Sequence, residues 1–276
     1  MKQRVPENSL REGDTRDSRR GALKSIIGLL GGYAIAQSSM VAAMPAEPRP
    51  AFDVDALSVQ YPSGDATIEG YFAKPKSEGQ HPAVIVIHSL SGLDNHIQDL
   101  TRRFAAEGFV ALAPNLASRD GRSNISLGGT AIAHLDPRLT VQDVKLGYEF
   151  LSRDDSGVDP ERISVVGLGW GGWRAFMLAE AMPKLYRAVV YYGSTPEEGL
   201  ESMKTPILAH YAGNDFRVTG NALWTEKAMK QFGKAFTYIM YDGADAEFMS
   251  KLDKPRNAEA AQLSWEKTLE FLRSPS

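Results

Sequence analysis

The 276-residue sequence contains no cysteine. It can therefore form no disulfide bond, no thiolate metal site and no cysteine nucleophile. Basic residues are not in excess, because 31 Lys and Arg stand against 34 Asp and Glu, for a formal net charge of −3. A nucleic-acid-binding protein usually carries a strong positive charge, so we expect no nucleic-acid partner. We also predict neither a metal nor a cofactor.

Long hydrophobic runs are missing as well. Residues 21–44 form the nearest approach to one, but this stretch is rich in Gly, Ala and Ser and is too weakly apolar for a typical membrane-spanning helix. It follows Ser18, Arg19 and Arg20, and the arrangement resembles a twin-arginine signal peptide in which Ala22 replaces the usual phenylalanine. The alternative is an amphipathic or buried N-terminal helix.

The signal-peptide interpretation divides the chain into three parts. We predict a signal segment over residues 1–45, an extended Pro-rich lead-in over 46–55 and one domain over 56–276. The mature protein would then be periplasmic or secreted, without a stable membrane anchor after processing. The sequence does not determine the oligomeric state.

The domain alternates between short apolar runs and helical patterns. Parallel sheets covered by helices on both faces give this alternation, so the sequence predicts an α/β fold with a mostly parallel, twisted sheet. The alternating segment 66–75 predicts an antiparallel edge strand. The predicted parallel strands are 83–89, 109–115, 163–169, 188–194, 206–213 and 236–243. The predicted helices are 94–107, 137–151, 171–182, 219–233 and 256–273.

A glycine cluster lies where the third predicted parallel strand meets the next helix. Residues 167–171 read Gly-Leu-Gly-Trp-Gly, the outline of G-x-S-x-G, a strand-to-helix turn that displays a catalytic nucleophile. The apex holds Gly169, which has no side chain. A plain strand-to-helix turn is the alternative for this pentapeptide taken alone.

Later strand ends supply part of a catalytic triad. Asp215 follows the predicted strand 206–213, where the acid of such a hydrolase belongs, although the loop taken alone favours a plain Asn-Asp turn. The turn after strand 236–243 should supply a histidine and contains none. No other histidine is placed in the chain order to complete the triad.

From about residue 55 to 273 the sequence resembles the dienelactone hydrolase family of α/β-hydrolases. Its segments GLGWGG, HYAGNDFRV and YDGADAEF are similar to the family's nucleophile turn, acid loop and histidine loop. ALAPNLASR and HSLSGLDNHIQDLTRRFAAEGFVALAP are similar to two earlier strand ends and the helix between them. The resemblance implies a single α/β-hydrolase domain and hydrolysis of carboxylic esters or lactones.

Carried over position by position, the resemblance implies an incomplete triad. The acid is Asp215, but Gly169 stands where the family has its cysteine nucleophile, and Ala246 stands where it has its histidine. Backbone N–H groups of Leu90 and Trp170 fall at the positions of the oxyanion-hole donors.

The resemblance also maps the residues that surround the nucleophile and hold the substrate. Ser89 replaces a glutamate beside the nucleophile. Arg119 matches one of two arginines that hold the substrate carboxylate, and Ser250 replaces the other. A solvated loop arginine is the alternative for Arg119.

Three functional hypotheses remain open at this point. The first is an active hydrolase with a relocated nucleophile, Ser89 or Ser91, which requires that a histidine such as the neighbouring His88 reach it, although the His88 side chain should alternate away from Ser89. The second is an inactive or strongly altered family member that binds a small molecule, such as an anion, in the old pocket. Its lining would include Trp170, Trp173, Tyr192 and Arg119. The third is a structural or partner-binding protein on the same fold.

Overall fold

The computed structural model describes residues 52–121, 128–153, 156–251 and 254–275. The predicted signal segment lies outside these ranges. One eight-stranded sheet organises the chain, with the strand order β1-β2-β4-β3-β5-β6-β7-β8. The strands are β1 Val54–Ser63, β2 Ala66–Pro75, β3 His81–Ile87, β4 Val110–Pro114, β5 Val158–Leu168, β6 Ala188–Tyr191, β7 Ile207–Ala212 and β8 Phe236–Tyr241.

The six strands β3 to β8 run parallel to one another. β2 is antiparallel to both of its neighbours, β1 and β4. The α/β prediction is thereby confirmed. The predicted edge position of segment 66–75 is wrong, because β1 pairs along the whole of β2 and forms the outer edge. Five of the ten residues of β1 are exposed, and its apolar alternation is confined to Leu57, Val59 and Tyr61. It also begins at Val54, within the lead-in.

Helices cover both faces of this sheet. The helices are α1 Asn95–Ala106, α2 Gly128–Ala133, α3 Pro137–Leu151, α4 Trp170–Ala181, α5 Phe216–Gln231 and α6 Pro255–Arg273, with short 3₁₀ turns at Leu116–Asp120 and Leu200–Ser202. Buried side chains of α3, α4 and α5 pack on one face, and those of α1 and α6 pack on the other. Alternation along β3 divides its side chains between the two cores: Ile85 and Ile87 join the first, and Val84 and Val86 the second.

Glycines let α4 approach the centre of the sheet closely. A β-carbon on Gly171 would lie 2.4 Å from the carbonyl oxygen of Ile87, and one on Gly167 would lie 2.2 Å from the carbonyl oxygen of Gly171. Neither distance is sterically possible, so both positions require glycine. Within the described residues, no helix is both long and apolar enough to cross a bilayer.

Candidate active site

The turn between β5 and α4 has the geometry of a nucleophile elbow. Its apex, Gly169, has φ 54° and ψ −110°, a backbone conformation that side-chain-bearing residues rarely adopt. A β-carbon at this apex would have only ordinary contacts, 3.8 Å from Cβ of Ser89 and 3.9 Å from two ring carbons of Tyr192. The turn therefore keeps room for a side chain but presents none.

Two backbone donors face this apex region from neighbouring segments. Leu90 lies in the exposed loop after β3, and Trp170 is the first residue of the 12-residue helix α4. Neither N–H group donates to an acceptor within the described residues. Free N–H groups at a helix N-terminus favour negatively charged oxygen. The role of these two groups as oxyanion donors stays a prediction.

Asp215 follows β7 at the same edge of the sheet as Gly169, with only β6 between their strands. Its carboxylate is buried and accepts two hydrogen bonds from the side chain of Arg217, from Nε to Oδ1 at 2.9 Å and from Nη2 to Oδ2 at 2.9 Å. These hydrogen bonds raise the pKa of Arg217. Both oxygens of the acid therefore accept hydrogen bonds from a guanidinium.

The loop that bears Ala246 is attached to the acid loop. Asn214 donates from its backbone to the carbonyl oxygen of Ala244 at 3.0 Å and from its side chain to Oδ1 of Asp245 at 3.1 Å. Lys254 donates to the other oxygen of the Asp245 carboxylate at 2.6 Å. Asp245 and its partners therefore hold Ala246 beside the acid loop, where the side chain is a methyl group without acid–base chemistry.

His88, the imidazole proposed to serve a relocated serine, is fully buried. Its Nδ1 donates to the carbonyl oxygen of Ser89 at 2.8 Å, and its Nε2 accepts the N–H of Leu116 at 3.2 Å. These partners assign the neutral tautomer, and burial lowers the pKa of His88 to about 4. Since both ring nitrogens are occupied by backbone groups, the arrangement does not favour His88 as a general base for Ser89 or Ser91.

Trp170 lies between two cyclic or planar groups. The His88 ring stacks on the indole at 5.6 Å with an interplanar angle of 3°, and the guanidinium carbon of Arg174 lies 3.1 Å from the indole centroid. The stack fixes the first residue of α4 and, through it, the direction of the Trp170 N–H. Trp173, also predicted to line the pocket, is half-buried one turn along the same helix.

Arg174 was not singled out by the sequence. Its side chain is 3% exposed and donates to Oγ1 of Thr140 and to the carbonyl oxygens of Leu135 and Trp170 at 3.0–3.4 Å. It has no carboxylate partner among the described residues. Burial lowers its pKa to about 9, which still leaves it protonated at neutral pH. The first turns of α4 therefore contain a buried, uncompensated positive charge.

Tyr192 forms one wall of the apex region. The residue is 5% exposed, has an unusual φ of 43°, and packs edge-on against Phe248 with ring centroids 5.4 Å apart. Its hydroxyl makes no hydrogen bond to a described residue. Burial raises the pKa of Tyr192 well above its usual value, so the hydroxyl is a neutral donor.

Arg119 is positioned differently from the expectation that it holds a substrate carboxylate. Its Nε and Nη2 form an ion pair with the fully buried Asp143, at 2.6–3.1 Å, and Nη2 also donates to Oγ of Ser63 at 2.8 Å. The side chain is 11% exposed. These contacts join the β1–β2 turn to α3, so the geometry favours a structural ion pair over both sequence interpretations. Ser250 is exposed and bonds the backbone of Glu247.

A second buried polar cluster supports the strands beneath the site. His210 on β7 bonds the hydroxyl of Tyr241 at 2.9 Å and Oγ1 of Thr268 at 3.0 Å, and Tyr191 bonds the same threonine at 2.7 Å. Burial lowers the pKa of His210 to about 3. No group of three or more potential metal-ligating side chains occurs in the described part of the chain.

The sequence profile of the dienelactone hydrolase family matches residues 68–276. The chain belongs to the dienelactone hydrolase family. It is 29% identical over 260 residues to the "Putative carboxymethylenebutenolidase" of Escherichia coli K12, covering 88% of this chain and 94% of that protein. A protein of the same name from Saccharolobus solfataricus is 30% identical over 257 residues, covering 78% and 97% of the two chains.

Solved structures agree with this family assignment at the level of the fold. The "Putative Dienelactone Hydrolase" of Klebsiella pneumoniae superposes with a TM-score of 0.72 at 24% identity, over 80% of this chain and 99% of that one. A dienelactone hydrolase-like promiscuous phosphotriesterase from metagenomic libraries gives 0.71 at 20% identity, over 79% and 97%. By family, the chain has the scaffold of a carboxylic ester or lactone hydrolase.

Proposed function

We propose that this dienelactone hydrolase-family protein no longer performs acyl transfer at its elbow and instead binds a small anionic molecule there. The observation that carries the proposal is Gly169 at the apex of the turn, in the backbone geometry of a nucleophile but without a side chain. Ala246 gives no base, and the carboxylate of Asp215 is paired with Arg217.

Covalent acyl transfer needs a nucleophile and a group that accepts its proton. Oxyanion donors stabilise negative charge after a nucleophile has attacked, but they do not create that charge. Leu90 and Trp170 therefore leave a site that recognises an oxyanion without forming an acyl-enzyme. Such a site binds anions instead of turning over esters.

A relocated serine is the competing proposal. Oγ of Ser89 accepts the backbone N–H of Ser91 at 3.3 Å, and neither hydroxyl bonds a histidine within the described residues. A serine without a base is a poor nucleophile at neutral pH. These contacts support the binding proposal over this second one.

The test is hydrolysis of 4-nitrophenyl acetate and of a simple lactone by the purified protein. We expect no turnover above that of the Ser89→Ala and Ser91→Ala variants. Turnover that either substitution abolishes would refute the proposal and establish a serine nucleophile. A structural or partner-binding role predicts neither turnover nor binding of small anions.

We also propose that the chain is exported through the twin-arginine route, on the sequence of residues 18–24. Mass spectrometry of the protein from a fractionated host tests this. We expect a mature N-terminus near residue 46 in the periplasm and retention in the cytoplasm when Arg19 and Arg20 are both replaced by lysine. An uncleaved cytoplasmic chain would contradict it.

A further inference from the structure

Resting on the proposed function, we infer that the ligand of the elbow is a monocarboxylate. One of its carboxylate oxygens accepts the N–H groups of Leu90 and Trp170, and the Tyr192 hydroxyl is a further donor. The remainder of the ligand occupies the space above Gly169 that a side chain would otherwise fill. Neutral esters and amides of the same shape bind more weakly.

The donors are all present and unpartnered. The N–H groups of Leu90 and Trp170 make no hydrogen bond to described residues, and the same holds for the hydroxyl of Tyr192 in a side chain that is 5% exposed. Two ring carbons of Tyr192 lie 3.9 Å from the position of a Gly169 β-carbon, and the hydroxyl is two bonds beyond one of them. These three donors are therefore open to a ligand oxygen.

The charge balance around the apex favours an anion. The guanidinium of Arg174 is buried one helical turn from the apex without a carboxylate partner among the described residues. A buried unpaired charge is strongly unfavourable, and a nearby anion offsets part of that cost. Two acids of the site are ion-paired, Asp215 with Arg217 and Glu247 with Lys251, each at 2.9 Å, and Asp94 accepts the N–H of Ile97 at the start of α1.

The same charges favour a ligand with a single negative charge. The guanidinium of Arg174 packs on the indole of Trp170, and Nε and Nη2 of Arg217 are occupied by Asp215. Phe248 and the Tyr192 ring supply an apolar wall that suits a carbon skeleton.

Benzoate and benzamide form a matched probe pair, because they share shape and differ in charge. Isothermal titration with the full-length protein should give a dissociation constant for benzoate at least about tenfold lower than for benzamide, the difference expected for hydrogen bonds to a charged group. Tyr192→Phe should weaken benzoate about five- to tenfold and benzamide less, because a hydrogen bond to a neutral carbonyl oxygen is weaker than one to a carboxylate. Tyr238→Phe, the same change in the opposite core, should alter neither.

Arg174→Met provides a second readout, because it removes the buried charge without removing a ligand contact. It should lower the benzoate-to-benzamide preference, whereas loss of the contact with Trp170 alone would weaken both probes to a similar extent. Equal affinities for the two probes, or a Tyr192→Phe variant that matches Tyr238→Phe, would overturn the inference. The hydrolysis assay separates the two failures: an inert protein without carboxylate preference refutes this inference alone, whereas ester turnover refutes the proposed function.

Discussion

The assignment of Arg119 as a structural residue is tested by its replacement with methionine. The substitution leaves the carboxylate of Asp143 fully buried, with the hydroxyl of Ser63 at 2.5 Å as its remaining side-chain partner. Removing one partner of a buried ion pair costs about 3–5 kcal/mol of unfolding free energy. In a domain of this size each kcal/mol of stability corresponds to about 2–4 °C in melting temperature, so we expect the melting temperature to fall by roughly 6–20 °C.

Denaturant unfolding followed by circular dichroism measures this loss, and two further variants calibrate it. Arg256→Met removes the same side chain from an exposed pair with Glu259 and should cost at most about 1 kcal/mol. Arg119→Met combined with Asp143→Leu removes both charges and should recover most of the stability. If Arg119→Met costs less than about 1 kcal/mol, the ion pair is not structural and the reasoning from burial is wrong.

Two other predictions concern the triad positions and the buried histidine. The double variant Gly169→Cys, Ala246→His should hydrolyse 4-nitrophenyl acetate little faster than the natural protein until Arg217→Ala is added, because Arg217 occupies the acid. A full gain in the double variant would contradict this role of Arg217. The pKa of His210 is about 3 in the folded protein and near its ordinary value of 6.5 in the unfolded chain. Between these two pH values only the unfolded chain binds the proton. The free energy of unfolding therefore falls as the pH falls from about 6.5 toward 3. His210→Gln should reduce the slope of unfolding free energy between pH 6 and 4 by about 1 kcal/mol per pH unit, whereas exposed His134→Gln should not; equal slopes would refute the assignment.

The central strands and the helices are the part of the fold that the sequence predicts well. Their continuous apolar runs and helical periodicity reflect burial on two faces, and the predicted ends of α3 at residues 137 and 151 agree with the structure. β1 was not predicted, because its apolar alternation covers only Leu57, Val59 and Tyr61 and half of the strand is exposed. Pairing along the whole of β2 stabilises this edge strand.

The site is less predictable than the fold, because long-range contacts decide what each polar side chain does. Arg119 is drawn into a pair with Asp143, which lies 24 positions away in sequence. The pairing of Arg217 with Asp215 has a local signal, the i, i+2 spacing at a helix start, that sequence reasoning could have used. The burial of Arg174 has none, since arginine on a helix is usually exposed.

The most direct test of an elbow without a nucleophile is intact-mass spectrometry after incubation with a fluorophosphonate, which phosphonylates activated serines. Ser89 and Ser91 are the two serines beside Gly169 that could act in its place. The account predicts an unmodified mass for the protein at neutral pH. A stoichiometric phosphonyl adduct that maps to Ser89 or Ser91 would contradict it.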